Sequence, residues 1–367
     1  MTAQGSDVRQ GPGARRGSDA RRDADTPQRT GGRRREMTVA HIARLAGVSA
    51  PTVSRVLNGQ AGVASSTRQR VEEVIRQHGY RRPDGDSMAI LELVFHALES
   101  PWALEIIRGV EQVARDNELA VVLTEMQGRL TPGRGWTERV LSRRPTGVIA
   151  VFSELTARQQ SQLATRSIPL VVVDPTGEPL HETPSVGATN WSGGLAATRH
   201  LLELGHRRIA ILTGPLNWPC CRARLDGFRA AMDAAGVPVE PELVRVSTLY
   251  PEGGLADGSA LLELPDPPTA IVTANDLQAI GVYEAARRAG VRIPADLSVV
   301  GFDDLPFTQW SGPPLTTVRQ PLALMGATAA NLVIDLAAGR QPEQLRIELA
   351  TTLVVRESTA PPRPSTR

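Results

Sequence analysis

The feature that most constrains the fold of this chain is a series of short apolar segments that begins at residue 89 and alternates with helical stretches. Eight such segments are rich in β-branched residues, and they lie at 89–95, 119–124, 147–152, 169–174, 208–214, 242–249, 270–274 and 297–302. Stretches with helical periodicity lie between most of them, for example at 102–116, 191–204, 220–235 and 277–289. Continuous apolar strands that alternate with helices indicate parallel sheets covered on both faces. Because roughly 280 residues are too many for one sheet, we predict two α/β lobes with a ligand cleft at the carboxyl ends of their strands.

A different pattern precedes the strands. Val39, Ile42 and Ala46 recur at helical spacing, and Gly47 then ends the helix. Ser49 stands where the N-cap of a second short helix is expected. The apolar positions of this second helix and of a third are Val53, Val56, Leu57, Val71, Val74 and Ile75. Two short helices joined by a tight glycine turn, with a third helix supporting them, are typical of a helix-turn-helix.

Charge is distributed unevenly along the chain. The formal net charge is only +2, and all 41 basic side chains are Arg. Residues 1–36 hold nine Arg against five acids, residues 37–83 hold seven Arg against two acids, and residues 84–367 are left with a net charge of −7. A small basic front on a large acidic body suggests a nucleic-acid-binding head attached to another module.

The first 36 residues contain almost no apolar side chain. Such a segment cannot offset its ordering entropy by burial, so we predict that it is disordered. Met37 offers an alternative start of translation, in which case this tail would not belong to the protein, and both possibilities stay open.

Composition also excludes several classes of protein. Cys220 and Cys221 are adjacent, which leaves no spacing for a disulfide framework or a zinc site, and we predict neither a cofactor nor a metal. No apolar run is long enough to span a membrane, and the N-terminus lacks the apolar stretch of a signal peptide. We therefore expect a cytoplasmic, nucleoid-associated protein without a membrane partner.

Residues 38–58, with the sequence TVAHIARLAGVSAPTVSRVLN, closely resemble the head of the LacI/GalR family of bacterial transcriptional repressors. Further stretches match the body of that family in order, namely GHRRIA at 205–210, RLDGF at 224–228, AND at 274–276, SVVGFDD at 298–304 and PLTTV at 314–318. The resemblance implies an N-terminal all-α helix-turn-helix head followed by an α/β two-lobed ligand-binding body like the type I periplasmic binding proteins.

The chain is predicted to have five segments. These are a disordered Arg-rich tail (1–36), a helix-turn-helix DNA-binding domain (37–83), a short linker (84–88), a two-lobed effector-binding and dimerisation domain (89–359) and a flexible tail (360–367). The linker departs from the family pattern, in which an Ala/Leu-rich hinge helix follows the head and enters the minor groove. Residues 80–88 read YRRPDGDSM, which is shorter than that hinge, lacks Leu and has turn chemistry around its Gly. Whether this segment forms a hinge helix or only tethers the head stays open.

The second helix of the head supplies the predicted DNA contacts. A helix in the major groove needs small side chains near its N-terminus, and Ala50 and Pro51 are small. Arg55 lies one turn later on the same face, where its guanidinium can donate twice to guanine O6 and N7. Short polar side chains nearby suit phosphate oxygens, although Ser49 could serve only as a helix cap and Arg55 only as a solvated side chain. The predicted DNA-binding set is Thr38, Ser49, Ala50, Pro51, Thr52, Ser54, Arg55 and Asn58.

Polar residues at strand ends and helix starts supply the predicted ligand site. Asp174 closes an apolar strand, Asn190 begins a helix, and Arg224 lies early in another helix. Carboxylate, amide and guanidinium groups can each hold adjacent hydroxyls of a polyhydroxylated ligand, and Trp102 and Trp218 are candidate stacking faces for a sugar ring. The family resemblance places ligand contacts at Asp174, Asn190, Arg224, Asp276 and Gln320. The predicted effector-binding set is Trp102, Asp174, Asn190, Trp191, Trp218, Arg224, Asp276 and Gln320.

Structural alternatives exist for several of these residues. Asp276 could be only a helix cap, the pair Asp303 and Asp304 could serve a turn, and Trp218 could belong to the core. The two cysteines fit two small buried side chains better than a redox or metal site, because no His or Cys cluster lies near them in the sequence.

These features predict a transcriptional repressor of carbohydrate-utilisation genes. It would bind near-palindromic double-stranded operator DNA as a homodimer, with a small sugar-like effector between the lobes. The alternative is a cytoplasmic sugar-binding module without a DNA role. An enzyme is not predicted, because the sequence lacks a GxGxxG after the first strand, a P-loop and a GxSxG motif.

Overall fold

The computed structural model describes residues 38–57, 62–78, 88–153, 155–175 and 183–363. In these ranges the chain forms a three-helix head and a body of two lobes, each built on a six-stranded sheet. The predicted helix-turn-helix and the predicted pair of α/β lobes are both confirmed. None of the described helices combines the length and the hydropathy that a membrane crossing requires.

The head consists of α1 (Val39–Ala46), α2 (Ala50–Leu57) and α3 (Ser65–His78). Helix α1 begins at Thr38, whose side chain accepts a hydrogen bond from the backbone N–H of His41 at 3.3 Å. It ends at Gly47, which has a φ of 63° and thus adopts a left-handed conformation that costs glycine little. The tight turn between α1 and α2 follows from this residue. Apolar side chains from all three helices meet in a common core, with Ile42, Val53, Val56 and Val71 fully buried.

The N-terminal lobe begins after residue 87. Its first elements are β1 (Met88–Phe95), α4 (Pro101–Asp116), β2 (Ala120–Glu125), α5 (Arg134–Arg143), β3 (Pro145–Val151), α6 (Ala157–Thr165), β4 (Leu170–Val173) and β5 (Ser185–Ala188). The C-terminal lobe contains α7 (Asn190–Glu203), β6 (Ile209–Thr213), α8 (Pro219–Ala234), β7 (Val244–Val246), α9 (Pro251–Leu262), β8 (Ala270–Thr273), α10 (Asp276–Ala289), β9 (Ser298–Asp303) and β10 (Thr316–Arg319). The chain then returns to the first lobe with α11 (Leu322–Ala337) and β11 (Arg346–Leu349), and it ends in the second lobe with β12 (Thr352–Val354).

The two sheets have corresponding topologies. The strand orders are β11-β5-β4-β3-β1-β2 and β12-β10-β9-β8-β6-β7. All neighbouring strands run parallel except β12, which pairs antiparallel with β10. Alternate residues of one strand enter different cores, as in β3, where Ile149 and Val151 join one apolar cluster and Val148 and Ala150 join another. Both faces of each sheet are therefore buried, as the continuous apolar strands predicted.

The chain crosses between the lobes three times, after β5, β10 and β11. Two of the crossovers are tied together, because the backbone N–H of Thr351 donates to the hydroxyl of Thr189 at 3.0 Å and the two hydroxyls lie 3.0 Å apart. Asn190 directly follows the first crossover, and Gln320 lies within the second. Two predicted ligand residues thus sit where the lobes join.

The structure extends and corrects the predicted elements. The eight apolar segments are all strands, although the segment at 242–249 is a strand only over Val244–Val246. Strands β5, β10, β11 and β12 carry no long apolar run and were not predicted. The predicted flexible tail starts too early, since Ala360 donates its backbone N–H to Ser298 Oγ at 3.0 Å and Arg363 lies 2.6 Å from a carboxylate oxygen of Asp296. Of the predicted linker at 84–88, residues 84–87 lie outside the described residues and Met88 begins β1, and Asn58 also lies outside them.

Candidate functional site

The exposed face of α2 carries the side chains that were predicted to contact DNA. Val53 and Val56 are fully buried against the rest of the head, which turns Ala50, Pro51 and Arg55 to the solvent. The helix thus offers two small side chains at its start and one guanidinium a turn later. This is a shape that can approach a groove and donate to base edges.

Ser49 caps α2, as predicted. Its Oγ accepts from the backbone N–H of Thr52 at 3.3 Å and lies 2.8 Å from the Thr52 hydroxyl. Thr38 is the corresponding cap of α1, and Ser54 is half-buried on α2. The short polar side chains therefore fix the N-termini of the helices. Their contacts with phosphate stay a prediction.

The body has a polar network where the two lobes meet, built around Arg224. This side chain is 5% exposed. Its Nε donates to Asn190 Oδ1 at 2.8 Å, and its Nη1 donates to the carbonyl oxygen of Ala274. Gln320 Nε2 donates to the same Asn190 oxygen at 3.4 Å, and Trp102 Nε1 donates to Gln320 Oε1 at 3.2 Å. Four of the eight predicted effector residues thus form one connected chain of hydrogen bonds.

Asp303, for which only a role in a turn was predicted, also belongs to this network. Its Oδ1 lies 3.9 Å from Arg224 Nη2, and the guanidinium carbon sits 3.8 Å from the centroid of the Phe302 ring. Burial raises the pKa of Asp303 well above its ordinary value, and the charge of Arg224 offsets only part of that effect. Burial likewise raises the pKa of Asp174, again against the charge of Arg224. Two buried carboxyls thus share one guanidinium.

Three residues at this site have left-handed backbones. Phe152 and Asp174 directly follow β3 and β4 with φ of 48°, and Asp303 ends β9 with φ of 112°. Non-glycine residues adopt such angles at a cost of about 1–3 kcal/mol, and these angles cluster at functional sites. All three residues lie at the carboxyl ends of their strands, which is where ligands of open α/β sheets bind.

Aromatic rings line the same region. The rings of Phe152 in the first lobe and Trp218 in the second meet edge to face, with centroids 4.6 Å apart. His96 lies 6.2 Å from Trp218, and Trp102 lies 6.2 Å from Phe152. Trp218 is therefore a contact between lobes and not a residue of one core. His96 and Phe152 were not predicted, but both directly follow apolar strands, which is the signal that pointed to Asp174.

Asp276, whose ligand-binding role stays a prediction, makes its contacts within the protein in this structure. Its side chain is fully buried, and both oxygens are occupied, one by the Thr317 hydroxyl at 2.6 Å and the other by the backbone N–H of Leu305 at 2.8 Å. Burial raises its pKa to about 7 in spite of these two hydrogen bonds. The cap of α10 is Asn275, whose side chain accepts from the backbone N–H of Gln278. Asp276 instead anchors the loop after β9.

A cavity of about 300 Å³ lies beside the network and is bounded by both lobes. Asp174, Asn190 and Trp191 line it, so two buried polar groups and an indole that is 46% exposed face one space. Cys220 also lines this cavity, and its sulfur lies 4.0 Å from that of Cys221. Both thiols are buried, as expected for two small side chains. Among the described residues, no three His, Cys, Asp or Glu side chains are grouped as metal ligands would be.

Two family profiles and several known proteins match the sequence of this chain. The profile "Bacterial regulatory proteins, lacI family" matches residues 38–83, and the profile "Periplasmic binding protein-like domain" matches residues 198–359. Among similar proteins, the HTH-type transcriptional repressor PurR of Haemophilus influenzae is 30% identical, with 88% of this chain and 98% of the relative covered. The repressor CytR of Escherichia coli (32%) and the regulator MalR of Streptomyces coelicolor (36%) each cover 88% of this chain and 96% of their own.

Solved structures show the same likeness. A complex of the transcriptional regulator CelR with cellobiose matches with a TM-score of 0.66 and 32% identity, over 88% of this chain and 99% of the other. The lac repressor dimer bound to operator and the anti-inducer ONPF matches with a TM-score of 0.64 and 27% identity, over 88% of this chain and 99% of the other. A LacI family regulator of Enterococcus faecium with bound ribose has a TM-score of 0.68 and 25% identity, over 75% of this chain and 100% of the other.

Proposed function

Because the chain belongs to the LacI family of bacterial regulatory proteins, we propose that it represses carbohydrate-utilisation genes under the control of a sugar-like effector. Its helix-turn-helix head and its two-lobed body, of the type I periplasmic-binding-protein kind, are the architecture of that family. It is a DNA-binding transcriptional regulator and not an enzyme. We place its action in the cytoplasm, at the nucleoid, where operator DNA is found.

The observation that carries the DNA-binding role is the exposed face of α2. Ala50, Pro51 and Arg55 are all exposed there, while Ser49 fixes the start of the helix. Since the two small side chains can offer only apolar contacts, Arg55 would carry most of the base reading. Thr38, Thr52, Ser54 and Asn58 complete the proposed DNA-binding set.

The proposed effector site is the network and the adjoining cavity between the lobes. Arg224, Asn190 and Gln320 are joined there by hydrogen bonds, Asp303 lies beside Arg224, and Asp174 lines the cavity. Pockets that combine aromatic walls with a few convergent polar groups are typical ligand sites. The similar regulators whose structures were solved with cellobiose and with ribose support a sugar as the ligand.

Regulation would work through the relative position of the lobes. The site draws side chains from both lobes, and its residues adjoin the crossovers at Thr189 and Gln320. A ligand shifts the DNA-binding equilibrium only by its differential affinity for two states of the lobes. Whether the effector releases or recruits DNA depends on which state it prefers.

A homodimer is part of the proposal. One head makes too few base contacts to select a site in a genome, and two heads on a near-palindromic operator double that number. The similar lac repressor structure is a dimer on its operator. This chain also has large exposed apolar side chains that suit burial against a second copy, with Trp310 at 82%, Leu104 at 57% and Leu324 at 55% exposure.

The test is a footprint of the purified protein on DNA upstream of neighbouring genes, with and without a panel of sugars. We expect protection of a near-palindromic site whose midpoint concentration changes with one of the sugars. Binding of sugar without any protected site would favour the alternative of a sugar-binding module. Protection that no sugar changes would contradict the effector role.

A further inference from the structure

Helix α7 begins with the sequence NWSGG, so two consecutive glycines, Gly193 and Gly194, lie within its first two turns. Apart from proline, glycine is the residue that a helix interior tolerates least. Both glycines are buried, and neither has a positive φ that would demand glycine for its backbone. The reason for their presence therefore lies in the groups that pack against them.

Gly194 lies against the backbone of α8. A Cβ at this position would overlap with the carbonyl oxygen of Arg224 and would come within 2.9 Å of the Arg224 Cα. Gly227, which lies one turn after Arg224 on α8, faces α7 in the same way, because its Cβ would overlap with the carbonyl oxygen of Trp191. The distance between packed helices depends on the side chains at their contact. Here the two helices cross in direct backbone contact, closer than any side chain would allow.

Gly193 leaves room for the aromatic ring that lies against the guanidinium of Arg224. A Cβ at Gly193 would lie 2.7 Å from two carbons of the Phe302 ring. The guanidinium carbon of Arg224 in turn lies 3.8 Å from the centroid of that ring. At this distance the face of the ring attracts the positive charge. The first glycine therefore admits the ring that supports the Arg224 side chain, and the second admits the backbone that carries it.

The crossing lies about one turn from the hydrogen bond that joins the two helices. Asn190 is the first residue of α7 and precedes Gly194 by one turn, while Arg224 precedes Gly227 by nearly one turn on α8. Across this gap Arg224 Nε donates to Asn190 Oδ1 at 2.8 Å. Because N–H···O hydrogen bonds form over a range of only about 2.7–3.2 Å, a wider separation of the helices would break this bond.

We propose that Gly193, Gly194 and Gly227 are positioning residues that hold Arg224 against Asn190. The inference rests on the proposed function, because Arg224 and Asn190 belong to the proposed effector site. Binding sites need their groups held within about 0.5 Å of the productive geometry. A contact between two backbones meets this need, because it contains no rotatable side chain that could absorb a shift. The three glycines thus act on the site through the packing of α7 and α8.

The test asks whether a longer side chain at position 190 compensates for separated helices. Gly194→Ala should push α7 and α8 apart and weaken sugar binding about tenfold or more, the loss expected for one hydrogen bond to a charged group. In the parent, Asn190→Gln should also weaken binding and lower stability, because the added methylene does not fit the present gap. In Gly194→Ala, Asn190→Gln should instead restore part of both, since it bridges the wider gap. Calorimetry with ribose and with cellobiose measures binding, and urea unfolding measures stability.

The control with a matched overlap is Gly254→Ala, because a Cβ at Gly254 would overlap with the carbonyl oxygen of Gln278 where α9 and α10 cross. It should lower stability as Gly194→Ala does, but Asn190→Gln should not compensate for it. Gly258→Ala controls for the loss of a glycine, since its Cβ would meet that of Ala285 at 3.3 Å and fits with a small adjustment. If Asn190→Gln rescues both overlap variants equally, or rescues neither, the positioning role is overturned.

A second variant decides the case in which Gly194→Ala does not fold. The atoms nearest to a Cβ at Gly193 belong to the side chains of Phe302 and Val318, which can move. Gly193→Ala should cost less stability in Arg224→Ala than in the parent, because the ring then supports no guanidinium. Equal costs in the two backgrounds contradict the proposal. If neither sugar binds the parent, the effector role fails for these two sugars, and the unfolding measurements still decide the positioning role by themselves.

Discussion

The head and the cleft between the lobes hold their functional side chains in opposite environments. In the head, Pro51 and Arg55 are exposed on one helix of eight residues. In the cleft, Asp174, Arg224 and Asp303 are each 5% exposed and come from three separate parts of the chain. Substitutions in the head should therefore change binding with little effect on stability, whereas substitutions in the cleft should change both.

The largest effect is expected at Arg224. Arg224→Ala removes the guanidinium whose charge acts on the buried carboxyls of Asp174 and Asp303, together with the hydrogen bonds to Asn190 and Ala274. Leaving buried charges without a partner costs about 3–5 kcal/mol, so the free energy of unfolding should fall by about that much and the sugar response should be lost. Urea unfolding measures the first effect, and calorimetry measures the second. The matched control is Arg222→Ala, an exposed position on the same helix, and equal stability of the two variants would contradict the prediction.

The head offers the converse case in Arg55. Arg55→Ala should lower operator affinity by about 1–3 kcal/mol per half-site and leave binding to random DNA largely intact, because a base contact carries the sequence information. Titrations of operator and random DNA at one salt concentration measure both. Arg70→Ala, an exposed change of equal charge on α3, should act on both DNAs alike. Equal losses on operator and random DNA for Arg55→Ala would remove its role as a base reader.

The pH dependence of stability tests the contribution of the buried side chain of Asp276. The pKa of Asp276 is about 7 in the folded protein, whereas its ordinary value, which applies to the unfolded chain, is 3.8. Between these two pH values the folded protein therefore binds a proton that the unfolded chain does not. The stability that Asp276 contributes is therefore complete below about pH 4 and is lost as the pH rises through about 7. Asp276→Asn cannot titrate. It should be less stable than the parent by about 1–3 kcal/mol at low pH, because an amide oxygen that accepts from the Leu305 N–H leaves the NH2 group facing the Thr317 hydroxyl, which donates in the parent.

The measurement is the free energy of unfolding of both proteins from pH 4 to pH 8. The difference between them should narrow as the pH rises. Asp226→Asn, which alters an exposed carboxylate, should follow the parent at every pH. A constant difference between the parent and Asp276→Asn would show that Asp276 stays ionised in the folded state.

The contrast between the head and the cleft also explains which features the sequence could predict. The elements of the head follow from signals within a few residues of one another, such as the caps Thr38 and Ser49 and the left-handed Gly47, and all three helices were predicted. Strands β10 to β12 depend on pairing with distant segments, as Thr317 pairs with Val354. Strands β10 (TTVR), β11 (RIEL) and β12 (TLV) carry no long apolar run, so they are not visible in the sequence without their partners.

In the cleft, the sequence signals reached the right strand ends but not always the right side chains. Asn190, Arg224 and Gln320 came from the family resemblance and do form one network. The local pattern of strand, Asn, Asp and helix could not tell that Asn275 caps α10 and that Asp276 anchors the loop after β9. Asp303 was missed because only the three-dimensional fold brings it to Arg224, 79 positions away.

Ser49 gives the smallest and sharpest test, because it separates stability from binding within the head. Its Oγ accepts from the Thr52 N–H, so Ser49→Ala should lower the stability of the head by about 1 kcal/mol. Ser49→Asp keeps a good cap and should not destabilise the head, yet it places a negative charge where phosphate is expected. Operator affinity should then fall in Ser49→Asp although the fold is intact. Helix melting by circular dichroism and an operator titration measure the two properties independently. If Ser49→Asp binds operator as well as the parent, Ser49 is only a cap, and the phosphate contact must come from other residues on this face.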